Sequence, residues 1–115
     1  MHVAIQANGF ELSKSLHKHI EQRLLSSFQF TERRVRKIIV RLFNGTTSRK
    51  KFIKSCRVQT VVNGLPQVIT EHHGKNFYVA ADTAIQRANR SVSRRIRKMR
   101  EYRRNIIDTP IENLA

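Results

Sequence analysis

The strongest constraint on this chain is an apolar seam in its last third. Tyr78, Ala81, Ile85, Ala88, Val92, Ile96 and Met99 recur in steps of three and four, a period that belongs to one stripe of an α-helix. A helix with a single narrow stripe must lay it on something. The spacing predicts a long helix from residue 77 to about residue 103, capped by Asn76. The rest of the chain must supply the surface beneath it.

That surface reads as a sheet. Residues 2–8 alternate, with Val3, Ile5 and Ala7 on one side and His2, Ala4 and Gln6 on the other, as in a strand with one buried face. Gly9 ends it. Ser13 stands at a helix N-cap with Glu11 nearby to suit the dipole. Leu16, Ile20 and Leu24 then mark an amphipathic helix over residues 14 to about 25. Leu12 is expected to pack just before it and Phe28 just after it. Residues 35–43 form the second strand, with Ile38, Val40 and Leu42 inward, and Asn44-Gly45 reads as its closing turn. Thr46 to Lys51 is a polar, basic loop. Phe52 to Val62 is the third strand, with Cys56, Val58, Thr60 and Val62 in register. Asn63-Gly64 is a strong hairpin signal, and residues 67–73 complete the hairpin with Val68, Thr70 and His72 inward. Both helices must cover the same face of an antiparallel sheet. The fold class is therefore α+β, a β-α-β-β-β-α two-layer sandwich with a four-stranded sheet and two helices on one face. The domain is expected to span residues 1–104, followed by a short flexible tail over 105–115.

Charge decides what such a domain meets. The 115 residues carry 23 Lys and Arg against 8 acids, a formal net charge of +15. Self-repulsion on this scale is relieved by a polyanion, nucleic acid first and an anionic membrane surface second. The placement of the charge sharpens the choice. With Ile85 at zero and 100° per residue, the seam stays within about 60° of zero. Arg87, Arg90, Arg94, Arg97 and Lys98 fall between about 120° and 220°, opposite the seam. No acid occurs from Thr83 to Arg100. A helix face that merely meets water intersperses both signs, because like charges at i,i+4 cost a few tenths of a kcal/mol per pair, roughly. Two further clusters are Arg49, Lys50 and Lys51 with Lys54 and Arg57, and Arg33, Arg34, Arg36 and Lys37. Arginine's planar fork pairs with phosphate and stacks on unpaired bases, which favours RNA with exposed bases.

Other chemistries find little support. No stretch approaches the roughly 20 apolar residues of a membrane span, and Met1 to Asn8 does not read as a signal peptide. The one cysteine, Cys56, supports neither an internal disulfide nor a thiolate metal site, and places the chain in the cytosol. His72 and His73 are adjacent in a strand and point to opposite faces. They read as packing or surface groups, as do His17 and His19, rather than as metal ligands or a ribonuclease centre. No paired carboxylates, nucleophile triad or glycine-rich phosphate loop is present. No catalytic residue, metal, cofactor or small-molecule substrate is expected.

The order of elements then resembles a known family. The pieces are Val3-Ala4-Ile5; Leu16, His19, Ile20, Arg23 and Leu24 on the first helix; and Val35-Arg36-Lys37-Ile38-Ile39-Val40-Arg41-Leu42. Lys54-Ser55-Cys56-Arg57-Val58 follows, and Phe77-Tyr78-Val79-Ala80-Ala81-Asp82 opens the final helix. Together they are similar to the ribosome hibernation-promoting factor and ribosome-associated inhibitor family, once called sigma-54 modulation proteins, in its short form. The resemblance implies a fold like that of double-stranded-RNA-binding domains. It also implies binding to ribosomal RNA of the small ribosomal subunit, in the messenger and transfer RNA channel, with translation blocked in stationary phase or stress. Carried over by position, the family's RNA-contacting residues fall on Arg23, Lys54, Arg87, Arg90, Arg94 and Lys98. Residues 44–51 lack the glycine pair of similar members, and the tail is less acidic than in some inhibitor-type members. The expectation is a cytoplasmic, non-enzymatic factor, monomeric off the ribosome. The alternatives are a regulatory protein-binding module, docking through the stripe or through Ile39 and Val61 on the open sheet face, or a binder of another structured RNA.

Overall fold

The computed structural model describes residues 1–46, 49 and 52–108; side chains are described as far as residue 105. The order is β1 (His2–Ala7), α1 (Lys14–Ser27), β2 (Val35–Thr46), β3 (Phe52–Val62), β4 (Val68–Gly74) and α2 (Phe77–Asp108). The four strands form one sheet in sequence order.

Local signals start each element. The Ser13 side chain accepts the Leu16 N–H at 3.1 Å, and Asn76 Oδ1 accepts that of Val79 at 2.9 Å; each satisfies a donor that the helix leaves unpaired. Phe28 closes α1, its N–H donating to the Leu24 carbonyl, while its ring is wholly buried. In the β3–β4 hairpin, Leu65 N–H donates to the Val62 carbonyl at 3.3 Å. Gly64 takes φ +74° there, a value that a side chain would oppose.

The sheet is mixed rather than antiparallel. β1 runs parallel to β2, because α1 carries the chain back across the sheet before β2 begins. The other two pairings are antiparallel. A second correction concerns Asn44-Gly45. These residues do not turn; they pair with Lys54 and Ile53 inside the β2–β3 ladder, which continues to Thr46 and Phe52. A Cβ at Gly45 would lie 2.9 Å from Ser55 Oγ, so the glycine here serves a close approach between strands rather than a bend.

One core joins both helices to one sheet face. Leu16, Ile20 and Leu24 of α1 meet Ile38, Val40 and Leu42 of β2, Cys56 and Val58 of β3, and Ile85, Ala88, Val92 and Ile96 of α2. The seam of α2 is wider than its large residues alone indicate. Ala80 and Ala84 are also wholly buried, and their small size lets α2 lie close on β4, where Thr70 Oγ1 donates to the Ala84 carbonyl at 2.9 Å. Tyr78 instead sits at the margin, its hydroxyl 3.1 Å from Ser15 Oγ, and Met99 is half-buried.

Ile96 is the last residue of α2 in the core. The helix nevertheless continues to Asp108, past the predicted end near residue 103 and into the segment expected to be a flexible tail. Residues 97–108 add roughly 18 Å of helix beyond that last core contact, and the molecule is elongated, 61 × 32 × 16 Å. The rest of the expected tail, residues 109–115, lies outside the described residues.

Candidate nucleic-acid interface

The face of α2 turned away from the sheet is cationic. Arg87, Arg90, Arg94, Arg97 and Lys98 are all exposed, held outward because Ile85, Ala88, Val92 and Ile96 fix the opposite face in the core. Among the described residues, ion pairs form at His17–Glu21, His19–Asp82, Arg23–Asp82 and Arg57–Glu71, and none involves these five cations. Glu101, the one acid near the stripe, bridges to none of them either. Residues 87–98 cover roughly 17 Å of helix axis, so the five charges form a row along one side of a rod.

The two predicted residues outside α2 occupy different places. Arg23, on α1, lies across from α2 with its Nε 3.6 Å from Asp82 Oδ1. The same oxygen is 2.8 Å from His19 Nε2, and the His19 ring meets Tyr78 edge-on. Asp82 thus ties the two helices together and partly neutralises Arg23, which flanks the stripe. Lys54 is farther off. Its ammonium sits 5.1 Å from the centre of the Phe77 ring, at the first residue of α2 and roughly 30 Å along the axis from Lys98. Phe77 in turn stacks on Phe10, centroids 4.4 Å apart.

The other basic clusters divide. Lys37, Arg41 and Arg57 lie on the open sheet face, where Arg57 is bound by Glu71 at 3.0 Å. Arg33 and Arg34 stay in the α1–β2 connection and line a cleft of about 900 Å³ with Arg97 and Arg100 of α2. Sequence reasoning grouped Arg33 and Arg34 with Arg36 and Lys37 and missed Arg100; only the tertiary fold brings Arg100 to that loop. Arg95 is directed elsewhere, to the Pro66 carbonyl at 3.5 Å. Arg49 is exposed in the β2–β3 connection, and Lys50 and Lys51 lie outside the described residues.

Two titratable groups depart from ordinary behaviour. Burial pushes the Cys56 thiol up to about 12, which keeps it protonated and inert. Burial, then Arg87, then His73 lower the pKa of His72, so its imidazole stays neutral beside the stripe. Among the described residues no three His, Cys, Asp or Glu side chains converge on a metal position, and no helix is long and apolar enough to cross a membrane.

Comparison with known proteins agrees with this architecture. The family model for "Sigma 54 modulation protein / S30EA ribosomal protein" matches residues 3–100. The chain belongs to this family. Two solved structures share the fold. A ribosomal subunit interface protein from Coxiella burnetii superposes with a TM-score of 0.70 at 16% identity, over 82% of this chain and 96% of that one. The N-terminal domain of Protein Y from Thermus thermophilus does so with 0.62 at 16% identity, over 82% and 98%. No curated protein matches the chain in sequence. The match takes in all four strands and α1 and runs along α2 as far as residue 100, so the stripe, Arg23 and Lys54 all fall within the family region.

Proposed function

We propose that this protein is a ribosome-associated hibernation factor. It binds ribosomal RNA of the small subunit, occupies the channel of messenger and transfer RNA, and blocks translation in stationary phase or stress. The observation that carries the reading is the row of five exposed cations on α2, none paired with a carboxylate among the described residues, in a chain of the S30EA family. Leaving those charges unpaired works against the isolated fold, and rRNA phosphate is the polyanion that this family implies. Arginine forks grip phosphates, and the domain excludes other RNA by occupancy, without catalysis. Arg23 adds a contact from α1, and Lys54 adds one at the opening of α2, roughly 15 Å of helix axis before Arg87. The protein acts in the cytoplasm and is monomeric off the ribosome.

Sucrose-gradient sedimentation of a stationary-phase lysate tests this. Co-migration with small subunits or ribosomes is expected, and so is its loss in the triple variant R90A/R94A/K98A, whose side chains are exposed and leave the core intact. A triple variant that sediments like the parent removes the stripe from the contact surface. A pull-down whose partners survive ribonuclease would favour a protein-binding regulator instead.

A further inference from the structure

The cleft between the α1–β2 connection and α2 is a second place where RNA chemistry converges, separate from the outward stripe. Its walls are Gln29 to Val35 on one side and Ser93, Ile96, Arg97 and Arg100 on the other, with Met1 at the margin. At about 900 Å³ it lies within the size range of small-ligand sites. Four guanidinium groups face it, against the single acid Glu32. Arg34 crosses it, with Nη2 3.9 Å from Met99 Sδ; Arg33, Arg97 and Arg100 have no carboxylate partner among the described residues. Beside them stands Phe30, 92% exposed.

An aromatic ring left almost wholly in water has no role in holding the fold. Phe28, two residues earlier, is wholly buried, and Phe10 stacks on Phe77; Phe52 and Tyr102 are exposed as well, but of these exposed rings Phe30 alone lines the cleft with its guanidinium groups. A flat apolar face in a cleft lined by four arginines suits a ligand with a flat π-face and a negative charge within one residue's reach. An unpaired nucleotide has both: its base stacks on the ring or on a guanidinium plane, and its phosphates pair with the forks. Helical RNA offers no such face, because its bases are stacked on each other.

We infer that this cleft holds one or two unstacked nucleotides of a single-stranded RNA segment, with a base on Phe30 and phosphates on Arg33, Arg34, Arg97 and Arg100. The inference rests on the RNA-binding reading above and extends it to residues that, Arg97 apart, lie outside the stripe. Arg97 is the hinge between the two surfaces, at the edge of the stripe and in the wall of the cleft. The stripe then tracks the outside of a folded RNA, while the cleft takes a strand end, a bulge or a looped-out base.

The test is a titration of ¹⁵N-labelled full-length protein with the trinucleotide ApApA at fixed ionic strength. Amide resonances of residues 29–34 and 96–100 are expected to move, and Phe30→Ala is expected to weaken binding roughly 5- to 150-fold, as loss of one base–aromatic stack does. Phe30 is exposed, so the variant folds, which its spectrum will verify. Movement confined to residues 87–94, or an affinity for Phe30→Ala within twofold of the parent, overturns the proposal. So does a tri-glutamate peptide that moves the same resonances as tightly as ApApA, since it offers charge without a base. Co-sedimentation with small subunits reports on the ribosome reading independently. Its failure with ApApA still in the cleft leaves the cleft assignment standing, and its success with no response in the cleft removes that assignment alone.

Discussion

Salt dependence gives the sharpest account of the stripe. Each phosphate neutralised by a cation releases condensed counterions, which contributes a slope of about −0.7 to −0.9 to a plot of log K against log salt. The five stripe cations therefore contribute a slope of about −3.5 to −4.5. Raising KCl from about 50 to 200 mM should weaken their share of binding roughly 100- to 500-fold. In R90A/R94A/K98A two of the five remain, and the same change should weaken that share only about 7- to 12-fold. Arg23, Lys54 and the cleft contribute equally to both proteins, so the difference in slope, about 2.1 to 2.7, is the quantity that the structure fixes. Fluorescence anisotropy of labelled protein against purified small subunits, at four salt concentrations, measures it. Parallel plots for parent and variant would show that the stripe does not touch phosphate, whatever the absolute affinities.

Further perturbations probe the fold that presents the stripe. Thr60 is wholly buried, and its hydroxyl has no hydrogen-bond partner among the described residues; Thr60→Val removes an unpaired polar group at constant shape and should stabilise by about 1 kcal/mol in urea unfolding. Ile85→Ala, at the centre of the seam, should destabilise by about 2–5 kcal/mol by the same measurement. Asp82→Asn removes the shared partner of His19 and Arg23, and because all three side chains are more than one-third exposed the loss should stay below about 1 kcal/mol. His72 has a depressed folded pKa, so the unfolded chain takes up its proton first on acidification. Stability should therefore fall as pH drops below about 6.5, with a shallower fall in His72→Gln. Cys56, buried with its pKa near 12, should resist a disulfide reagent at pH 8 until the protein is unfolded.

The elements were legible because their signals are local. Ser13 and Asn76 mark the helix starts, and the inward residues of β2 and β3 follow from alternation along one strand. The stripe was legible for a related reason, since all five cations share one element and one period. Asn44-Gly45 misled because a glycine needed for contact with Ser55 looks the same in sequence as a glycine needed for a turn. The parallel pairing of β1 with β2 depends on where α1 returns the chain. The features that sequence could not reveal are long-range. The Asp82 tie spans 63 residues from His19, and Arg34 meets Met99 across 65. The cleft is assembled from two segments that carry no shared pattern, so its basic residues could be counted beforehand but not placed.

The length of α2 beyond Ile96 has a thermodynamic meaning. An isolated helix of about a dozen residues is only marginally stable in water, and Arg100, Arg103 and Arg104 set like charges three and four positions apart. Past the contact of Met99 with Arg34, residues 100–105 are exposed, so these turns draw much of their order from continuity with the anchored turns. Amide exchange protection should step down across Ile96, from the global unfolding free energy toward zero at the helix end. Ionic strength tunes where that step falls, because screening the guanidinium groups lengthens the protected stretch, and a bound phosphate chain lengthens it more. The reach of this helix should thus depend on the surrounding anions, its last turns gaining protection as negative charge gathers beside the protein.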